Sequence, residues 1–157
     1  MIQRIQSIYL SAVVAIIVLM FFLPIINIEL NGKHYILELI GVVQNTNGNS
    51  FDFLYVIPLF CISAFVGLLS FITIFLFKKR PVQITICKIN FIFNLILILL
   101  VFYFYPDIII KNKLGSNVIC NFSIGAVLPL LNMILLLLAN KAIRKDEKIV
   151  KESNRIR

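Results

Sequence analysis

The chain has 157 residues, of which 61% are hydrophobic and only 14% charged, and its net charge is +8. A soluble domain carries about a quarter charged residues; with a mean hydropathy of +1.00, this composition excludes a soluble fold. Charge-free runs cover 5–28, 53–77, 89–106 and 114–140, each near or above the roughly 20 apolar residues that carry a helix across a bilayer core. Transmembrane strands would alternate in polarity over about ten residues, whereas Leu95 to Phe104 is apolar on every face.

These runs predict an all-α membrane protein, one four-span domain over residues 1–157. The expected elements are a transmembrane bundle with helices at about 5–26, 53–77, 83–105 and 121–140, an extracytoplasmic β-hairpin or small sheet at about 27–40, and a cytoplasmic C-terminal helical extension over 141–157. The first run is longer than the apolar core of a signal peptide and lacks a small-residue cleavage site before Asn27, so it is expected to stay as a span that ends at Pro24.

Asn31-Gly32 between two strand-like segments is a strong hairpin signal, because both residues tolerate positive φ. A polar loop over Asn45–Ser50 follows, and Ser50 or Asp52 is placed to cap the second helix. Pro58 falls in that helix's first turns. Ser63, Gly67 and Ser70 make a small-residue stripe suited to close helix contact in lipid. Lys78-Lys79-Arg80-Pro81 reads as a short turn, with Pro81 starting the third helix.

The third helix carries Gln83, Cys87, Lys88, Asn90 and Asn94, and is expected to end at Pro106. Asn90 and Asn94 are four apart on one face, which should turn inward because an amide facing lipid has no partner. Ile108–Ile110 and Val118-Ile119 are candidates for short strands beside the hairpin. Gly125 and Pro129 predict a kink in the fourth helix, whose one interior amide is Asn132. Beyond Asn140 the helical period persists among charges, with Glu147 and Lys151 as an i,i+4 pair.

Positive charge sets the orientation. With the N-terminus inside, Arg4, Lys78, Lys79, Arg80, Lys88 and the seven bases from Lys141 to Arg157 are cytoplasmic, against Lys33, Lys111 and Lys113 outside. Both termini are therefore expected in the cytoplasm. The basic surplus is read as a topology signal and a contact for anionic lipid headgroups, not as a nucleic-acid site.

Familiar membrane chemistries lack their residues. A haem bundle needs facing axial ligands, and the single His34 lies in the hairpin. A thiol oxidase needs a close Cys pair, but Cys61, Cys87 and Cys120 are isolated; a Cys61–Cys120 bridge stays open as an alternative to three packing residues. A proton-coupled exporter needs a carboxylate within a span, and all seven acids fall in loops or tail. No metal site, cofactor or enzyme activity is expected.

One polar constellation remains: Gln3, Arg4, Gln6, Gln83, Lys88, Asn90, Asn94, Asn132, Asn140 and Arg144, mostly toward the cytoplasmic half. It reads either as interhelical hydrogen bonding or as a cationic recess or partner site on the inner face.

Three segments carry a family resemblance: Met1-Ile2-Gln3-Arg4-Ile5-Gln6-Ser7-Ile8-Tyr9-Leu10, Arg80-Pro81-Val82-Gln83-Ile84 through Cys87-Lys88-Ile89-Asn90, and Leu138-Ala139-Asn140-Lys141-Ala142 through Arg155-Ile156-Arg157. Together they resemble an uncharacterised family of small four-span membrane proteins from Bacteroidota, known as a domain of unknown function. The resemblance implies a bacterial inner-membrane protein and carries over no catalytic residue. The leading expectation is a non-catalytic accessory or scaffold protein binding a membrane-protein partner, or a second copy of itself, through its basic face. The alternative is binding or transport of lipid or a small solute in the recess.

Overall fold

A computed structural model describes residues 3–30, 33–44, 50–51, 56–110 and 119–155. Within them are four α-helices, α1 (Gln3–Met20), α2 (Ile57–Phe75), α3 (Arg80–Leu99) and α4 (Ile124–Arg155). Five strands accompany them: β1 (Ile26–Leu30), β2 (Lys33–Leu37), β3 (Val42–Gln44), β4 (Ser50–Phe51) and β5 (Ile119–Phe122).

Helix α1 stops at Met20, not near residue 26. Pro24 has no N–H to offer the helix and disfavours helical backbone at Leu23, so the chain closes with tight bonds from Phe21 N to Val18 O and Phe22 N to Leu19 O. Ile25 N already donates to Leu37 O at 2.9 Å, and the residues read as helix end are the start of a sheet.

That sheet is antiparallel and larger than the expected hairpin, with strand order β4-β3-β2-β1-β5. Strands β1 and β2 pair from Ile26↔Leu37 to Leu30↔Lys33; Asn31-Gly32, read as the hairpin signal, lies outside the described residues. Strand β5 pairs with β1 along the opposite edge, from Ile26↔Phe122 to Glu29↔Ile119. Alternation sends Ile26, Ile28, Tyr35 and Leu37 inward and leaves Asn27 and His34 exposed. His34 Nδ1 lies 3.4 Å from Glu29 Oε1 across the pair.

Ser50 belongs to β4, so it does not cap α2. The helix follows Val56 without a side-chain cap and takes Pro58 in its first turn. The loop 45–49 and Asp52 lie outside the described residues. A 3₁₀ turn, Leu76–Lys78, closed by Lys79 N to Leu76 O, leads into α3 with Pro81 at its start.

Helix α3 does not end at Pro106. It continues as a wider π-helical segment over Leu100–Ile110 with Pro106 inside it. The wider winding shifts bonding to the fifth residue back and relieves the clash of a proline ring with an α-helical backbone. Ile108–Ile110, read as a candidate strand, are part of this segment. Helix α4 begins after β5 and runs unbroken through Pro129 and past Asn140 to Arg155; span and extension are one element.

Contacts join α1 to α2, α2 to α3, α3 to α4 and α4 back to α1, a closed ring of four. Each helix presents one stripe to the ring interior, with steps alternating between four and three residues: Gln6, Leu10, Val13, Ile17 and Met20 on α1; Leu59, Ser63, Val66, Ser70 and Thr73 on α2; Gln83, Cys87, Asn90, Asn94 and Leu97 on α3; Asn132, Leu136, Ala139, Ile143 and Asp146 on α4. This 3.5-residue period is that of left-handed helix packing.

The outward faces carry Leu68, Phe71, Phe75, Ile92, Leu99, Ile134 and Leu137, all exposed. Amides inside and large apolar side chains outside is the reverse of a soluble bundle and suits a hydrocarbon surround. Among the described residues three helical stretches are long and apolar enough to cross a membrane, Ile57–Phe75, Arg80–Pro106 and Ile124–Val150, while the apolar part of α1, Ile5–Met20, is shorter.

Two apolar clusters divide the interior. One joins the inner face of the sheet to Ile17, Met20, Leu59, Leu97, Val101 and Tyr105. The other, at the end where α2 turns into α3, gathers Leu10, Val13, Ile84, Cys87, Leu136, Ala139 and Ile143. We call these the sheet end and the basic end.

Candidate functional site

The polar stripe forms a ladder from the basic end to the middle of the bundle. At its foot, Gln6 Nε2 on α1 donates to Asp146 Oδ2 on α4 at 3.0 Å. Arg80 Nη1, at the start of α3, donates to the backbone oxygen of Asp146 at 3.4 Å. Three separate elements are thereby tied at one residue, which is itself only 5% exposed.

The next rungs link α2 and α3. Gln83 Nε2 donates to Thr73 O at 3.1 Å, and Asn90 Nδ2 donates to Ser70 Oγ at 2.7 Å. Thr73 is buried and bonds back to Leu69 O in its own helix. The small-residue stripe thus has two uses. Ser70 accepts a bond from α3, and Gly67 admits Ile17 of α1, whose Cγ2 would lie 3.2 Å from an added Cβ.

The last rungs link α3 and α4. Cys87 Sγ lies 3.9 Å from Leu136 O, and Asn94 Nδ2 donates to Pro129 O at 3.0 Å. Cys87 and Asn94 are seven apart on α3, as are Leu136 and Pro129 on the antiparallel α4. That register sets Gln83 level with Asn140 and Asn90 level with Met133, one residue from Asn132.

After these bonds the interior remains rich in acceptors. Gln6 Oε1, Gln83 Oε1, Asn90 Oδ1, Asn94 Oδ1, Asn132 Oδ1, Asn140 Oδ1 and Asp146 Oδ1 have no hydrogen-bond partner within the protein, and Asn132 Nδ2 is the only donor in the same condition among the described residues.

The structure brings together Gln6, Gln83, Asn90, Asn94 and Asn132, with Asn140 partly buried beside them. It does not bring Lys88 or Arg144 to them; both are exposed on the outer faces of their helices. A recess pairing the Lys88 ammonium with Asn90 and Asn94 is therefore not formed. Lys88 is five residues from Gln83 and two from Asn90, off the inward stripe. Gln3 and Arg4 lie in the first turn of α1, and their side chains are outside the described residues.

Sequence reasoning missed Asp146, assigned to the tail with the other acids. The signal was present, since Asp146 extends the stripe Asn132, Leu136, Ala139, Ile143 by three residues. The Glu147–Lys151 pair cannot be placed, because the Lys151 side chain lies outside the described residues; Lys148 and Glu152 instead approach to 3.9 Å on the surface.

Cys61, Cys87 and Cys120 are not joined in disulfides; Cys61 lies on an exposed face of α2 and Cys120 in β5. Among the described residues no three His, Cys, Asp or Glu side chains are gathered as metal ligands.

Residues 2–156 match the model of a domain of unknown function, DUF4293. The chain belongs to this family. No curated protein matches it. The match takes in the whole ladder, from Gln6 to Asp146, so the fold described here is that of the DUF4293 domain itself in this chain.

Proposed function

We propose that this DUF4293 protein is a bacterial inner-membrane protein that spans the bilayer four times and serves as a non-catalytic accessory. In this reading the basic end faces the cytoplasm, both termini lie there, and α4 docks a membrane-associated partner.

The observation that carries the proposal is the continuity of α4. One helix leaves the bilayer region and runs on to Arg155, its base fixed by the Gln6–Asp146 bond and by Arg80. Past Asp146 it presents Ile149 and Val150, 43% and 38% exposed, among basic residues. A rigid, amphipathic helix held at a defined angle above anionic headgroups is suited to partner contact. The charge distribution supports the orientation, and the exposed apolar flanks of α2, α3 and α4 support insertion. The first span is short at roughly 24 Å of helix, and Phe21 and Phe22 extend its apolar length at the sheet end.

A photo-reactive amino acid at Ile149, compared with one at lipid-facing Phe71, tests the docking. The expected result is a discrete protein adduct at 149, absent at 71 and lost in Val150→Asp. Identical adducts at both positions, or none at 149, would remove the docking role.

A further inference from the structure

The middle of the ladder holds more acceptors than helix packing uses. Asn90, Asn94 and Asn132 are each 0% exposed. Asn90 and Asn94 are one turn apart on α3, and Asn94 bonds to Pro129, three residues from Asn132 on α4. The three amides therefore converge within about one helical turn. Their oxygens, Asn90 Oδ1, Asn94 Oδ1 and Asn132 Oδ1, have no partner in the protein.

Leaving such groups without partners in an apolar interior is strongly unfavourable, and leucine at any of the three positions would avoid it. Three oxygens against one spare amide nitrogen, Asn132 Nδ2, favour a donor or a cation over an anion. Carbonyl oxygens can replace the hydration shell of a monovalent cation.

We propose that Asn90, Asn94 and Asn132 form a binding site for a small monovalent cation, an alkali ion or ammonium, reached from the basic end when the apolar cluster around Cys87 opens. Gln83 Oε1, Gln6 Oε1 and Asp146 Oδ1 lie on the basic side of that cluster. The Arg80 guanidinium disfavours a cation at the mouth itself, so the ion rests deeper, at the amides, while the Asp146 carboxylate offsets the barrier to entry. The site is independent of docking by the α4 extension.

Thermal unfolding of the purified full chain in detergent tests the site. Chlorides of sodium, potassium, ammonium and the bulky N-methylglucamine are compared at equal ionic strength. At least one small cation is expected to raise the midpoint saturably by roughly 3 °C over N-methylglucamine, and the pattern among the three separates an alkali ion from ammonium. Asn132→Leu should abolish the rise, and Asn132→Ser, a smaller change that spares the packing if Leu does not fold, should weaken apparent affinity about tenfold. Lipid-facing Ile134→Ala should retain it. Equal midpoints in all four salts, a rise that survives Asn132→Leu, or undiminished apparent affinity in Asn132→Ser would overturn the proposal.

Discussion

Gln6 Nε2 and Asp146 Oδ2, 140 positions apart in sequence, meet at 3.0 Å and join the first turns of α1 to the polar half of α4. The bond makes the segment after Asn140 part of the bundle, and it defines where the free extension begins. Asp146→Ala leaves the buried Gln6 amide without its acceptor and should cost about 1–3 kcal/mol. The double variant with Gln6→Ala should be less destabilised than the sum of the two single variants, with a coupling of about 0.5–3 kcal/mol. Reversible unfolding in mixed micelles measures it; additive effects would mean the contact does not form.

Gly125 marks the closest backbone approach at the sheet end. Its N–H bonds Pro24 O at 2.9 Å, and an added Cβ would stand 2.5 Å from that same oxygen. Because the obstacle is backbone and cannot rotate away, Gly125→Ala should destabilise by about 1–3 kcal/mol. Gly41→Ala is the control, since nothing lies within 4 Å of its added Cβ, and it should be close to neutral in the same unfolding assay.

The two buried serines of α2 should respond differently. Ser70 Oγ accepts from Asn90 across the α2–α3 contact, whereas Ser63 Oγ donates to Phe60 O within its own helix. Interhelical bonds in membrane bundles average about 0.6 kcal/mol, so Ser70→Ala should lose that much and up to about 1.7 kcal/mol. Ser63→Ala should lose less. Equal losses measured by unfolding would assign Ser70 to packing alone.

Removing the extension beyond Asp146 should separate insertion from docking. A chain ending after Glu147 keeps the Gln6–Asp146 bond and the four apolar helices. It should reach the membrane and unfold near the full-length midpoint, while no longer co-purifying with the partner that the full chain crosslinks at position 149. A truncated chain that fails to insert would show the extension to be structural.

The inward placement of Asn90 and Asn94 was legible in the sequence because the physics is one-sided: an amide has no partner in lipid. Pro81 marked a helix start for a similar local reason, the missing N–H, whereas Pro58, read within the first turns of a helix from about 53, lies in the first turn of one that starts at Ile57. Other features depended on distant partners. Strand β5 pairs with β1 ninety or more positions away; Val118-Ile119 reads as a candidate strand, but nothing local separates its continuation through Phe122 from the expected helix start at about 121. Pro106 reads as a stop, yet tertiary packing around buried Tyr105 keeps the chain helical in a wider winding. Lys88 and Arg144 share a sequence neighbourhood with the ladder but not its phase. Asp146 escaped notice because its acidic neighbours suggested a solvated tail, although its phase with Asn132 and Ile143 already placed it inside.

The proposed orientation puts the amide-lined bundle across the bilayer with its basic end in the cytoplasm. Single cysteines at His34 in β2 and at Glu152 in α4, with Cys61, Cys87 and Cys120 replaced, test it directly through labelling by a membrane-impermeant maleimide. Both positions are exposed in the structure. The expected result is labelling of His34→Cys once the outer envelope alone is opened, and of Glu152→Cys only after the inner membrane is breached. Labelling of Glu152→Cys with the inner membrane intact, or protection of His34→Cys, would contradict it.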